Sequence, residues 1–143
     1  MSDPTTDQPN LAQAARWFAL AVEDLEGVRV IVRDHVMVAR IGGFLAQQSA
    51  EKAIKAALIA QGTDPPKSHL LTDLFALLAD APPLDVPELQ SLSPWVNDGR
   101  YAADLPDATY GEVEQLLDAA GRVVEAMRSL VVLPEPEPQP DSD

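Results

Sequence analysis

The sequence predicts an all-α domain, an up-and-down four-helix bundle with an additional short helix, and three observations lead there. Thirteen prolines are confined to the first residues, to positions 65–106 and to the tail, so Leu11–Asp64 and Asp107–Leu133 are free to form long helices that proline would break. Within both stretches apolar residues recur at spacings of three and four, the period of a helix with one buried face. The chain is 46% hydrophobic but only 5% aromatic, so its core must come mainly from Leu, Val, Ala and Ile, which suits closely packed helices.

Asn10 is placed to cap the first helix, whose stripe runs through Leu11, Ala14, Ala15, Phe18, Ala21, Val22, Leu25, Val28 and Val32. The break before the second helix is not marked, because Asp34-His35-Val36 carries no strong turn signal and Gly42-Gly43 is compatible with a helix interior. Gly62 is a natural C-terminal cap for the second helix, ahead of Thr-Asp-Pro-Pro. Leu70, Leu71, Leu74, Leu77 and Leu78 make a short third helix. Asp85, with Pro87 and Glu88 behind it, starts another short helix bearing Leu89 and Leu92, which Ser93-Pro94 interrupts or restarts. Thr109 and Glu112 form a capping-box pair at the head of the last long helix, whose stripe is Val113, Leu116, Leu117, Ala120, Val123, Val124, Met127 and Leu130. At 143 residues a single domain is the default, here residues 11–133. Residues 1–10 read as a disordered N-terminus and residues 134–143 as a disordered, acidic, proline-rich tail.

Composition narrows the function classes. With no cysteine, disulfides, thiolate metal sites and thiol nucleophiles are excluded, which fits a reducing compartment. Two histidines make a histidine-built zinc site a poor reading, and neither a metal nor a cofactor is expected. No signal peptide or bilayer-spanning apolar run is present in the sequence, so a cytoplasmic protein without membrane association is expected. The formal net charge is −13, and removing the six terminal acids Asp3, Asp7, Glu135, Glu137, Asp141 and Asp143 leaves −7 on the remainder. Such a surface is not one for duplex DNA, which binds basic patches, and any nucleotide or RNA contact must be a local basic spot.

The most informative string is Phe44-Leu-Ala-Gln-Gln-Ser-Ala-Glu-Lys-Ala-Ile-Lys-Ala-Ala-Leu58. At about 100° per residue, Gln48, Glu51, Lys52 and Lys55 share one arc of the second helix with Ile41, Phe44, Leu45 and Ile59. Ala46, Ala50, Ala53 and Ala57 take the opposite side, where another helix can approach closely. A polar cluster among hydrophobes reads either as a structural network with i,i+4 pairs such as Glu51 to Lys55, or as the wall of a pocket or interface in which lysines meet an anion.

Gln47-Gln48-x-x-Glu51-Lys52-x-x-Lys55 resembles the QQ-x-x-EK-x-x-K signature of the HEPN family, the higher eukaryotes and prokaryotes nucleotide-binding domain. Trp17, Ala21 and Asp24-Leu25 resemble the W-x3-A-x2-DL pattern of that family's first helix. Gly62 with His69-Leu70 and Leu74 is similar to its G-x(n)-HxL-x2-L segment, and Arg100-Tyr101 to the RY ahead of its last helix. The resemblance covers Leu11 to Val132. It implies a four-helix bundle with an extra short helix, a homodimer, and a minimal nucleotidyltransferase as partner in a toxin-antitoxin-type pair or a two-part nucleotide-handling complex.

Many relatives of this kind are metal-independent RNases, in which an Arg followed after four to six residues by His begins the last helix. There the His moves a proton from the 2′-hydroxyl and the Arg holds the phosphate. Here Arg100 is followed by Tyr-Ala-Ala-Asp-Leu-Pro-Asp-Ala-Thr-Tyr, without a histidine. Arg29 and His35 have the spacing but lie in the first helical region, where it arises by chance. The preferred function is therefore a non-catalytic or weakly catalytic module that binds a nucleotide or a nucleotidyltransferase partner, with a metal-independent RNase toxin as the alternative and a purely structural dimer as a third reading. Candidate nucleotide- or anion-binding residues are Arg100, Lys52, Lys55, Tyr101, Gln48, Glu51 and His69. Arg100 can clamp a phosphate and Tyr101 can stack on a base; equally, Arg100 can pair with Asp98 or Asp104 while Tyr101 seals the bundle. His69 reads first as a structural residue bonding a loop carbonyl or stacking on Pro65-Pro66.

Overall fold

A computed structural model describes residues 10–95 and 105–131. Among them are five α-helices and no strand: α1 (Leu11–Asp34), α2 (Ala39–Ala60), α3 (Leu71–Ala76), α4 (Val86–Ser91) and α5 (Tyr110–Arg128), with a 3-10 turn at Ser93–Trp95. The three long helices α1, α2 and α5 pack on one another, and the short α3 and α4 close the remaining side against α2 and α5. The all-α bundle expected from the proline distribution is the observed architecture. The disorder expected for residues 1–10 and 134–143 falls outside the described residues, except at Asn10, which is ordered as the cap of α1.

The unmarked break between α1 and α2 falls at His35. Its backbone is left-handed, at φ 50°, and its N–H donates to the Ile31 carbonyl to close α1. His35 is held there by stacking on Tyr110, with ring centroids 3.8 Å apart and planes 3° from parallel. The Tyr110 hydroxyl in turn donates to the Met37 carbonyl, so the head of α5 clasps the turn. This is why the local sequence gave no signal: a contact 75 residues away in the chain shapes the turn.

The other boundaries follow local chemistry. The Asn10 side chain accepts from the Gln13 N–H, satisfying one of the orphan donors of a helix start. Thr109 and Glu112 cap each other reciprocally at the head of α5. Gly62, at φ 80°, turns the chain out of α2 one residue beyond the Gln61 cap. Helix α3 is shorter than the run of leucines suggested, since Leu70 lies before it and Leu77 caps it.

Gly42 and Gly43 sit inside α2, where they let neighbours touch its backbone. A Cβ on Gly42 would lie 2.7 Å from Val113 of α5, and one on Gly43 would overlap the indole of Trp95. Trp95 is thereby buried against the helix, its Nε1 without a hydrogen-bond partner among the described residues. Gly121, by contrast, faces open space. Thermal melts should separate the two cases: Gly43→Ala is expected to lose about 1–3 kcal/mol by overpacking, whereas Gly121→Ala is expected to gain roughly 0.5–1 kcal/mol of helix propensity.

Candidate functional site

Helix α2 is buried along almost its whole length between α1, α5 and α3, so its polar side chains need partners inside the protein. Gln47, Ser49, Glu51 and Lys55 are all buried. Ser49 Oγ donates to the Ala21 carbonyl of α1 at 2.7 Å, which requires the two helices to approach closely. Ala46, Ala50, Ala53 and Ala57, fully buried, make that approach sterically feasible.

Glu51 is the centre of the cluster. Gln47 Nε2 donates to its Oε1 at 3.1 Å, and Lys55 Nζ to its Oε2 at 3.0 Å. His69 Nδ1 lies 3.2 and 3.1 Å from the two oxygens. An ionised carboxylate only accepts, so His69 must carry its proton on Nδ1 in this contact. Gln47 Nε2 also reaches the His69 carbonyl at 3.3 Å, and Gln48 Nε2 donates to Gln47 Oε1 at 2.8 Å. Residues 47, 51 and 55 stand one turn apart on α2, so the helix supplies two donors to one carboxylate, and the connection to α3 supplies the third.

Burial, the largest influence, pushes the Glu51 carboxyl up. The hydrogen bonds from Gln47, His69 and Lys55, with the charge of Lys55, outweigh it and leave the group below its ordinary value. Lys52 takes a different partner, Asp24 of α1, at 2.6 Å, with both side chains mostly shielded. This second tie joins α1 to α2 one turn away from Ser49.

The predicted residues therefore separate. Glu51, Lys55, His69 and, through Gln47, Gln48 form one network, while Lys52 belongs to the α1–α2 seam. His69 bonds a carboxylate of α2 through its ring, where the sequence pointed to a loop carbonyl or the Pro65-Pro66 turn. Arg100 and Tyr101 lie outside the described residues. Gln47 and Asp24, essential members of these networks, stood in the quoted motifs but not among the candidate residues. The signal that could have found Gln47 is its i,i+4 spacing to Glu51. Arg29 pairs with Glu26 and His35 stacks on Tyr110, so the Arg29/His35 spacing builds no joint site.

These geometries place the signature residues of the helix-2 string around a single buried acid, tied to the residues of the other quoted motifs. The HEPN domain profile matches residues 14–130. The chain belongs to the HEPN family. Its fold is similar to that of an archaeal HEPN homologue of known crystal structure, with a TM-score of 0.63 and 23% sequence identity, over 82% of this chain and 97% of that one. No curated protein matches the sequence. No described helix of this HEPN domain is long and apolar enough to cross a membrane.

Removing one partner of a buried pair leaves the other charge stranded, so Glu51→Ala in this HEPN domain is expected to cost about 3–5 kcal/mol in chemical denaturation. Because the folded Glu51 carboxyl titrates below its unfolded value, the stability it contributes is complete above the ordinary carboxylate range, about pH 4.3. It is lost as pH falls through the lower folded value. The denaturation midpoint of the wild type should therefore drop more between pH 6 and pH 3, on the order of the full titration window, than that of Glu51→Gln.

Proposed function

We infer that this HEPN domain is a recognition module: it binds a nucleotide or a minimal nucleotidyltransferase partner, acts as a homodimer, and works within a toxin-antitoxin-type pair. The observation that carries this reading is the apolar ledge at the α1–α2 turn. Val36, Met37 and Val38 are 61%, 49% and 55% exposed in succession. An isolated exposed apolar residue is ordinary, whereas three in a row on a fixed backbone favour a surface that meets a partner. The backbone is fixed by the His35–Tyr110 stack and by the hydroxyl bond to the Met37 carbonyl, so a partner meets a surface that needs no ordering on binding.

Arg40 stands in the first turn of α2, beside the ledge. Its Nη1 lies 3.5 Å from the fully exposed Asp107 carboxylate, and its Nε is buried without a hydrogen-bond partner among the described residues, so an incoming acceptor would meet the outer guanidinium nitrogens in competition with Asp107. Arg100 and Tyr101 fall in sequence between the buried Trp95 and Leu105, and they remain the residues assigned to phosphate and base. Lys52 and Lys55, with Gln48, Glu51 and His69, already satisfy one another or Asp24, so an incoming anion would have to compete with two carboxylates. Their contribution to recognition is to hold the helix that bears the ledge and Arg40.

Two substitutions test the reading on one purified full chain. Met37→Asp should weaken the complex with a nucleotidyltransferase encoded beside this chain by at least about tenfold, with the melting temperature unchanged. Arg100→Ala should abolish ATP binding in calorimetry, and Met37→Asp should preserve it. RNA cleavage by the wild type in EDTA, lost in Arg100→Ala, would instead overturn the recognition reading in favour of a metal-independent RNase.

A further inference from the structure

The end of the bundle opposite the ledge brings together the start of α1, the end of α2 and the end of α5. A recess of about 210 Å³ opens there, walled by Trp17 of α1, Lys55 and Ile59 of α2, and Pro65, Pro66 and Lys67 of the following connection. That volume falls below the roughly 300–1,000 Å³ of pockets that enclose a drug-sized ligand. A whole nucleotide is too large for it, whereas a proline ring with a neighbouring carboxylate is not. The walls have the corresponding chemistry: an indole and two pyrrolidine rings offer flat apolar surface, and two ammonium groups offer positive charge. Aromatic-walled grooves of this kind receive extended, proline-rich segments, whose stiff backbone loses little entropy on docking.

The chain carries such a segment. Pro134-Glu-Pro-Glu-Pro-Gln-Pro140 alternates proline with polar residues and places carboxylates at Glu135 and Glu137. The described residues end at Val131, just beyond α5, and α5 finishes at the same end of the bundle as the recess. Arg128 lies 5.1 Å over the ring of Phe18, the residue next to Trp17. Six residues separate Val131 from Glu137, a reach of up to about 20 Å when extended, against helix spacings of about 8–10 Å.

We propose that the Trp17–Lys55–Lys67 recess docks the chain's own acidic, proline-rich segment Pro134–Pro140, with proline rings against Trp17 and Glu135 and Glu137 toward the lysines. Lys67 is the main electrostatic anchor, because it is exposed and forms no ion pair among the described residues, whereas Lys55 is shared with Glu51. Asp64, which also lines the recess, opposes the tail carboxylates, and Lys55 is already paired with Glu51, so the electrostatic attraction rests on Lys67 and the rest of the docking on proline packing against Trp17. Docked in this way, the tail occupies the recess in advance of any external acidic, proline-rich peptide.

The absence of cysteine allows a clean disulfide-trapping test in the full chain. Asp64→Cys with Gln139→Cys is compared with Glu125→Cys and Gln139→Cys, since Glu125 is exposed on α5 within similar reach of the tail. Docking predicts that the 64–139 bond forms about tenfold faster than the 125–139 bond at low salt. It also predicts that adding Lys67→Gln, or raising the salt, slows the first toward the second. Equal rates for the two pairs, or a fast 64–139 bond indifferent to Lys67→Gln and salt, would overturn the proposal. Disulfides formed mainly between copies would overturn it as well, because they would assign the recess to a second chain.

Discussion

A carboxylate held away from water inside a helical bundle obliges its surroundings to provide donors, and most of this structure can be traced to how that obligation is met around Glu51. An unpaired buried charge costs several kcal/mol, and a paired one roughly breaks even with a hydrophobic replacement. The network of Gln47, Lys55 and His69 thus adds specificity of arrangement more than net stability. Only one rotation of α2 about its axis presents residues 47, 51 and 55 inward together. Only one path of the chain after Gly62 brings the His69 ring and carbonyl back to the same group. The register of α2 and the course of the α2–α3 connection are set by one acid.

The seam between α1 and α2 solves a different problem with small residues. Alanines on both helices bring the backbones close enough for the Ser49 hydroxyl to reach a carbonyl across the interface, and the Lys52–Asp24 pair closes the outer edge. Against α5 the same helix uses Gly42 and Gly43 to admit Val113 and Trp95. Helix α2 therefore has three kinds of face: alanine and serine toward α1, glycine toward α5 and the indole, and hydrogen-bonded polar groups toward α3. Fitting three faces to three neighbours leaves little of α2 at the surface.

How much of this was legible in the sequence depended on whether the decisive interaction was local. Caps at Asn10 and Thr109, the exit at Gly62 and the apolar stripes of α1 and α5 involve residues within a few positions of each other, and each was readable. The turn at His35 was not, because Tyr110 creates it from the far end of the fold. At the polar cluster, periodicity put Glu51 and Lys55 on one face, but Gln48 and Lys52 looked equivalent to them. Burial distinguishes them: Gln47, Glu51 and Lys55 lie within about 80° of one another and go inside, while Lys52, about 60° beyond Lys55, is left at the edge with Asp24. Periodicity has an angular resolution of about one residue, coarser than that difference. Arg100 and Tyr101 rest on their likeness to a family motif, because they fall between two buried anchors and outside the described residues.

The four-residue turn between α1 and α2 has a consequence for how the molecule opens and closes. Two long helices joined by so short a link meet with modest sequence separation, 28 residues at the Ser49–Ala21 and Lys52–Asp24 bonds, and such hairpins assemble faster than pairings between distant segments. The six-residue α3 and α4 are too short to persist alone and depend on that hairpin and on α5 as a template. Amide protons of the α1–α2 hairpin are therefore expected to exchange with solvent mainly through global opening, and those of α3 and α4 through smaller excursions. The Glu51–His69 contact joins these two regions, so it acts as the hinge pin between the slowly exchanging frame and the quickly exchanging cover.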